Sequence, residues 1–105
     1  MTSSSEPTFS VVWPRATLAT AVRPVSPRLD TLRGKRIGFL WDYMFRGEEL
    51  FPELERVLRE QYGAEVVGYD VFGNTHGPEE AQVVGQIPSV IGARGVDAVV
   101  SAVGC

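Results

Sequence analysis

The chain has 105 residues, enough for one small domain, and 44% of them are hydrophobic, as in an ordinary globular protein. Its net charge is −3 and its ten Lys and Arg are scattered, which argues against binding to nucleic acid or anionic lipid. No apolar stretch approaches the roughly 20 residues that span a bilayer, and Met1–Thr8 lacks the features of a signal peptide. We therefore expect a cytoplasmic protein with no membrane or nucleic-acid partner.

The N-terminal part is predicted to differ from the rest of the chain. Residues 1–28 are predicted to form a flexible segment, and residues 29–105 an incomplete α/β domain. Pro14, Pro24 and Pro27 disfavour a long central strand between Phe9 and Pro27, because each removes a backbone donor. The piece Phe9–Trp13 is instead predicted to be a short edge strand, with the ring of Trp13 over the core.

The first regular elements are predicted to be a strand and a helix. The compact apolar run Arg36–Trp41 is typical of a strand that is buried on both faces. Gly38 within it indicates the close approach of another backbone. Apolar residues at spacings of three and four then predict a helix over Glu48–Tyr62, which Gly63 should end.

A second strand, a second helix and a third strand are predicted to follow. The second strand covers Ala64–Tyr69 and is allowed to reach Phe72, and a loop covers Gly73–Pro78. The second helix begins at that loop's proline, and Pro88 should kink or split it. The third strand is the apolar run Val96–Val103. The residues predicted to form the buried face of the second helix are Val83, Val84, Ile87, Val90 and Ile91.

The order β-α-β-α-β predicts an α/β fold with a three-stranded parallel sheet of order 2-1-3 and flanking helices, half of a doubly wound Rossmann- or flavodoxin-like domain. The third strand then lies at an edge, and an apolar strand at an exposed edge invites aggregation. We therefore expect further chain, a partner chain or a homo-oligomer to cover it. The alternative is a small domain whose N-terminal segment covers that edge.

Ligands of open parallel sheets bind beyond the carboxyl ends of the strands, so residues that follow the strands are the candidates for a site. Five are predicted to bind a small-molecule substrate, and one, a cysteine, to be catalytic. These residues are Asp42 and Arg46 after the first strand, Asn74, Thr75 and His76 after the second, and Cys105 after the third.

Each candidate also has a plainer interpretation. Cys105 could be a reactive thiolate, because helix N-termini near a strand end lower the pKa of a thiol, or a terminal cysteine without a role. His76 could be a general base or could cap a helix start. Asp42 could bind a hydroxyl or a cation, or could cap the segment before Glu48. Arg46 could bind a carboxylate or phosphate, or could simply be solvated.

Several motifs are absent from the sequence. No Gly-x-Gly-x-x-Gly follows the first strand, no phosphate-binding loop is present, and no His and Cys cluster has the spacing of a metal site. A receiver domain would need an aspartate at the end of the third strand, where Gly104 and Cys105 stand. The sequence therefore predicts neither a cofactor nor a bound metal.

Three segments together resemble the UGSC family of (seleno)proteins. They are Leu32–Leu40 with the pattern Leu-Arg-Gly-Lys-Arg-Ile-Gly-Phe-Leu, Tyr62–Val66, and Gly95–Gly104. The resemblance runs from about Leu29 to the end of the chain, and Phe72–Gly77 looks like one branch of the family.

The resemblance implies a thiol- or selenol-dependent oxidoreductase. In the family, the third strand runs into a turn with selenocysteine or cysteine, followed by Gly-Ser-Cys. Cys105 matches the residue just before the selenocysteine position or, with the register shifted by one, the redox residue itself. Since a stop codon encodes selenocysteine, the resemblance implies a chain truncated at a recoded stop. The cysteine that would resolve the intermediate is then missing.

Two other classes of function remain open from the sequence. One is a cysteine-dependent enzyme of the racemase or decarboxylase kind, although such enzymes usually need two opposed groups and this chain has one cysteine. The other is a non-catalytic α/β subunit or binding module that a partner chain completes.

Overall fold

The structure, a computed structural model, describes residues 6–17 and 19–104. Within these residues, three strands alternate with helices along the chain. The elements are β1 (Arg36–Trp41), α1 (Gly47–Tyr62), β2 (Glu65–Val67), α2 (Tyr69–Phe72), α3 (Glu80–Arg94) and β3 (Ala98–Ala102).

The three strands form one parallel sheet of order β2-β1-β3, as predicted. Ile37 on β1 lies opposite Val66 on one side and Ala98 on the other, and β1 pairs with β3 along five positions. The third strand is shorter than Val96–Val103, because the Val96 N–H bonds back to the end of α3 and the strand begins two residues later.

The prediction of α1 is confirmed to within one residue. Phe51 and Leu58, two turns apart, are its buried side chains and face the sheet. Gly63 ends the helix in the left-handed conformation, with a φ of 65°, and its N–H bonds to the Leu58 carbonyl. A glycine adopts this φ without steric cost, which explains the sharp end of the helix.

The hydrophobic core lies almost entirely between α1 and one face of the sheet. Alternate residues of β1 point to this face, because side chains alternate along a strand. The β3 residues of the same face are small and only partly buried against this core. The core residues are Ile37, Phe39, Trp41, Phe51, Leu58 and Ala64, with Ala98, Val100 and Ala102 packed beside them.

Few side chains cover the opposite face of the sheet, and Gly38 makes room for them. A Cβ on Gly38 would lie 3.0 Å from the Phe72 ring and 3.1 Å from the Val96 side chain. The prediction that another backbone approaches Gly38 is therefore wrong, because two side chains occupy the space. Phe72 is the one buried residue of α2, and this contact anchors that helix to the sheet.

The predicted length of the second strand is also wrong. The strand ends at Val67, and Tyr69–Phe72 forms the single helical turn α2. The N–H of Val71 bonds to the Gly68 carbonyl at 3.1 Å, which closes the turn. The β-branched and aromatic composition favoured a strand, but the turn brings the Phe72 ring onto the sheet and prevails over local propensity.

Helix α3 differs from its prediction in two respects. It continues through Pro88 from Glu80 to Arg94, so the proline does not split it. The carbonyl left without a helical donor belongs to Val84, a residue that is 47% exposed, so water can reach this part of the helix and satisfy it. The predicted buried face is wrong as well, because none of the residues of α3 is buried. Its main neighbour is the short α2, which covers little area.

The predicted strand Phe9–Trp13 is wrong for this chain, since the structure has neither helix nor strand in residues 6–17. Trp13 is 75% exposed, so it does not cover the core. A strand needs a neighbour to accept its hydrogen bonds, and no described strand pairs with this segment. Further along, residues 26–29 and residues 97–99, at the start of β3, line one open cavity.

Candidate functional site

Loops from all three strands meet at the carboxyl edge of the sheet. Asn74 forms an isolated bridge with Trp41 at the end of β1, and the Thr75 N–H bonds to the Trp41 carbonyl at 3.2 Å. On the other side, the Asp42 N–H bonds to the Ala102 carbonyl at 3.3 Å. The sheet therefore brings the segments after β1, β2 and β3 together, as the topology predicted.

Asp42 joins two of these segments through its carboxylate. Its Oδ1 accepts the N–H of Met44 and the N–H of Val103, each at 3.3 Å. The side chain is half-buried, so these charge-assisted bonds are partly shielded from water. Asp42 thus holds the backbone that leads into Gly104 against the loop after β1.

The side chain of Asn74 fixes the conformation of the loop after β2. The Asn74 Oδ1 accepts the His76 N–H at 2.9 Å and closes a tight turn. A Cβ on Gly77 would lie 2.8 Å from the Asn74 Nδ2, so a glycine fits this position best. Asn74 and Thr75 are half-buried while His76 is exposed, which leaves the imidazole accessible from solvent.

The two remaining candidates are placed differently. The Arg46 side chain is 80% exposed and pairs with Glu49 at 2.8 Å, in the first turn of α1. This ion pair keeps its guanidinium on the surface of the helix start. Cys105 lies outside the described residues.

Aromatic residues beside the edge form a cluster that the sequence did not predict. Trp41 stacks on Tyr43 with ring centroids 4.5 Å apart and meets Tyr69 edge-on at 4.8 Å. Its indole N–H bonds to the Met44 carbonyl at 3.0 Å. The only sequence signal was the density of aromatic residues after β1, which does not reveal the backbone that stacks them.

That backbone is unusual at two positions. Tyr43 and Phe45 have φ values of 58° and 61°, which non-glycine residues rarely adopt. With this backbone, the Tyr43 ring stacks on Trp41, whereas Phe45 is largely exposed. Partial burial, followed by the nearby Tyr69 and Asp70, raises the pKa of the Tyr43 phenol above its ordinary value.

A shallow cleft of about 220 Å³ lies next to this cluster, between α1 and the segment after β2. Its floor is aromatic and its rim carries two carboxylates. The lining residues are Phe39, Phe51, Pro52, Glu55, Gly68, Tyr69 and Asp70.

The described part of the chain has neither a metal-binding cluster nor a membrane-spanning helix. Residues 6–17 and 19–104 contain no group of three His, Cys, Asp or Glu side chains placed to hold a metal ion. None of the helices in these residues is both long enough and apolar enough to cross a bilayer.

The fold and this edge define an α/β protein with an open parallel sheet and loops gathered at its carboxyl end. The family model described as the UGSC family matches residues 10–105. The chain therefore belongs to the UGSC family, as the sequence motifs predicted. No curated protein and no solved structure matches the chain.

Proposed function

We propose that the chain is part of a thiol- or selenol-dependent oxidoreductase whose redox residue is Cys105 or the residue directly after it. The observation that carries the proposal is the pair of hydrogen bonds from Met44 and Val103 to Asp42. They hold the segment leading to Gly104 at the edge where the three loops meet. Membership of the UGSC family supports the same chemistry, because the sequence motifs resemble those of its (seleno)proteins.

The proposed step is an exchange at a disulfide. The thiolate or selenolate attacks one sulfur of the substrate disulfide, a new S–S or Se–S bond forms, and the other sulfur leaves as a thiolate. A second thiol then attacks the mixed species and releases the reduced substrate, so that the protein ends with the oxidised bond. We propose that this thiol belongs to a Gly-Ser-Cys motif beyond Cys105, and that the reaction takes place in the cytoplasm, where thiols stay reduced.

The other candidates are proposed to bind a small-molecule substrate at the same edge. His76 is exposed next to the turn that Asn74 closes, so its imidazole can exchange a proton with the leaving group. Arg46 would have to release Glu49 to bind an anionic substrate. Asp42 contributes to the site by holding the loops after β1 and β3 together, since its Oδ1 already accepts two backbone N–H groups.

The first test is the intact mass of the protein from its native host. A mass above that of the 105 residues, with the isotope pattern of selenium, is the expected result and would support the selenol chemistry. A mass equal to that of the 105 residues would contradict it, because no second thiol would be available in the chain.

A second test concerns the reactivity of Cys105. We expect its alkylation rate by iodoacetamide to rise with an apparent pKa below about 8.5, the value of a free thiol. Asp42→Ala should move this pKa toward the free-thiol value, because the backbone before Gly104 loses its anchor. Glu49→Ala removes an exposed carboxylate from the neighbouring helix and serves as the control. An ordinary thiol pKa in the unmodified protein would contradict a catalytic role for Cys105.

A second candidate function is a non-catalytic subunit that a partner chain completes. The observation that favours it is the free edge of β3, whose only neighbour in the described sheet is β1. Purification of the native protein under mild conditions distinguishes the two functions. A stable heteromer whose Cys105→Ser variant assembles and functions normally would favour the subunit over the oxidoreductase.

A further inference from the structure

Two parts of the chain lack a partner and are complementary: the outer edge of β3 and the exposed apolar segment Phe9–Trp13. β3 presents an edge on which none of the described residues forms a backbone hydrogen bond, and the strand Ala98–Ala102 contains no charged residue. Natural edge strands usually carry charges, prolines or bulges that prevent pairing. The edge of β3 is therefore open to another strand.

The N-terminal segment supplies a matching strand. Phe9–Trp13 has five residues, as β3 does, and is rich in β-branched and aromatic side chains. Its apolar side chains stand in solvent, with Val12 at 90% exposure. The family match begins at residue 10, so it includes residues 10–13 of this segment.

The segment also places its large apolar side chains on one face, the face that the core beside β3 leaves partly uncovered. In an extended strand, Phe9, Val11 and Trp13 point to one face. The β3 side chains on the core face, such as Ala98 and Ala102, are small and only partly buried. Larger rings on an added strand would cover this end of the core.

The path of the chain carries the segment away from its own sheet. Residues 26–29 line a cavity together with the start of β3, whereas the principal extent of the structure reaches 75 Å. The radius of gyration is 22.2 Å, compared with about 13 Å for a compact domain of 100 residues. Pro14 and Pro24, at the two ends of the connection, favour extended backbone over a turn back to the sheet.

We propose that Phe9–Trp13 of one copy pairs with the free edge of β3 in a second copy, and reciprocally, so that two chains form a dimer by exchanging their N-terminal strands. Exchange of an identical element between copies closes a two-fold dimer and satisfies both edges at once. The segment leaves solvent and the edge gains its hydrogen bonds. The dimer is independent of any chemistry at Cys105.

The experiment is sedimentation equilibrium of the full chain in dithiothreitol, which prevents a disulfide through Cys105. Successive residues of a strand direct their N–H groups to opposite sides, so one of the variants Val11→Pro and Val12→Pro must remove a hydrogen bond to β3. We expect a dimer whose dissociation constant rises at least tenfold in that variant. The control is Val22→Pro, which is equally exposed but outside the segment and should leave the dimer unchanged.

Two results would overturn the proposal. One is a monomer at about 100 µM, a concentration at which even a weak dimer should assemble. The other is dimerisation of both proline variants as strong as that of the unmodified chain. If the chain is a monomer, protected amides in residues 9–13 by hydrogen exchange would show that the segment covers β3 of its own chain.

Discussion

At the scale of single residues, Gly47 shows how closely the start of α1 lies against Trp41. A Cβ at this position would lie 2.3 Å from two atoms of the indole ring, far inside van der Waals contact. The indole cannot easily move, because its N–H bonds to the Met44 carbonyl and Tyr43 stacks on its face. The glycine is therefore needed for its small size.

We expect Gly47→Ala to lower the free energy of unfolding by about 1–3 kcal/mol, the usual cost of overpacking. Urea denaturation followed by circular dichroism measures it. The control is Gly85→Ala in α3, where a Cβ meets nothing within 4 Å. That variant should be neutral or stabilising by up to about 1 kcal/mol, because alanine favours a helix. Equal effects of the two variants would contradict the close packing of Gly47 on Trp41.

Tyr43 predicts a dependence of stability on alkaline pH. Its pKa is raised in the folded protein by burial and by nearby Tyr69 and Asp70, whereas an unfolded tyrosine ionises near 10.0. The unfolded chain therefore releases the proton first, so the contribution of Tyr43 to stability is complete below that pH and is lost as the pH rises through the folded pKa.

We expect Tyr43→Phe to reduce the loss of stability between about pH 9 and pH 11, because phenylalanine has no proton to release. Urea midpoints measured across that range test the prediction. Tyr62→Phe, at the end of α1, controls for the loss of a phenolic hydroxyl. A steeper loss of stability in Tyr43→Phe than in the unmodified chain would contradict the direction of the shift.

At the scale of elements, α1 and α3 are similar in length but differ in burial. α1 buries Phe51 and Leu58 against the sheet, whereas α3 has no buried residue and contains Pro88. Elements with few buried contacts open at lower free energy than core elements. Native-state hydrogen exchange should therefore show α3 amides opening before those of α1. Equal protection of the two helices would indicate that another chain covers α3.

The contrast also shows what local patterns can predict. The apolar stripe of α1 predicted the helix, and its residues Phe51 and Leu58 are buried because the sheet lies directly beneath them. A weaker apolar pattern at the same spacing predicted α3, but only its helical structure is confirmed, since burial depends on a neighbour that the chain must supply. The prediction that the second strand continues beyond Val67 failed because the composition of Tyr69–Phe72 suits a strand. Only the packing of Phe72 on Gly38 favours the helical turn.

The candidate site was predictable in outline. Asp42 and Asn74 were placed at the carboxyl edge because parallel topology brings strand ends together. Their hydrogen-bond partners were not predictable, since the bond from Val103 to Asp42 joins residues 61 positions apart. The stacking of Tyr43 on Trp41 was missed because it depends on a left-handed backbone at Tyr43. The sequence has no glycine at this position to indicate that conformation.

At the scale of the whole molecule, the number and direction of the crossovers limit the order of the sheet. Right-handed connections from β1 to β2 and from β2 to β3 allow order 1-2-3, with both connections on one face, or order 2-1-3, with connections on both faces, and the structure shows the second. The N-terminal segment was placed wrongly because its apolar residues were assumed to reach the core of their own chain. The same exposed residues are what the proposed exchange of strands would bury.

The two tryptophans give the molecule an optical consequence. Trp41 is buried in the core and Trp13 is exposed in the N-terminal segment, so their fluorescence should differ in wavelength and in quenching by iodide. Emission from Trp41 reports the unfolding of the sheet, while emission from Trp13 reports the surroundings of residues 9–13. One unlabelled sample can thus distinguish loss of the fold from release of the segment.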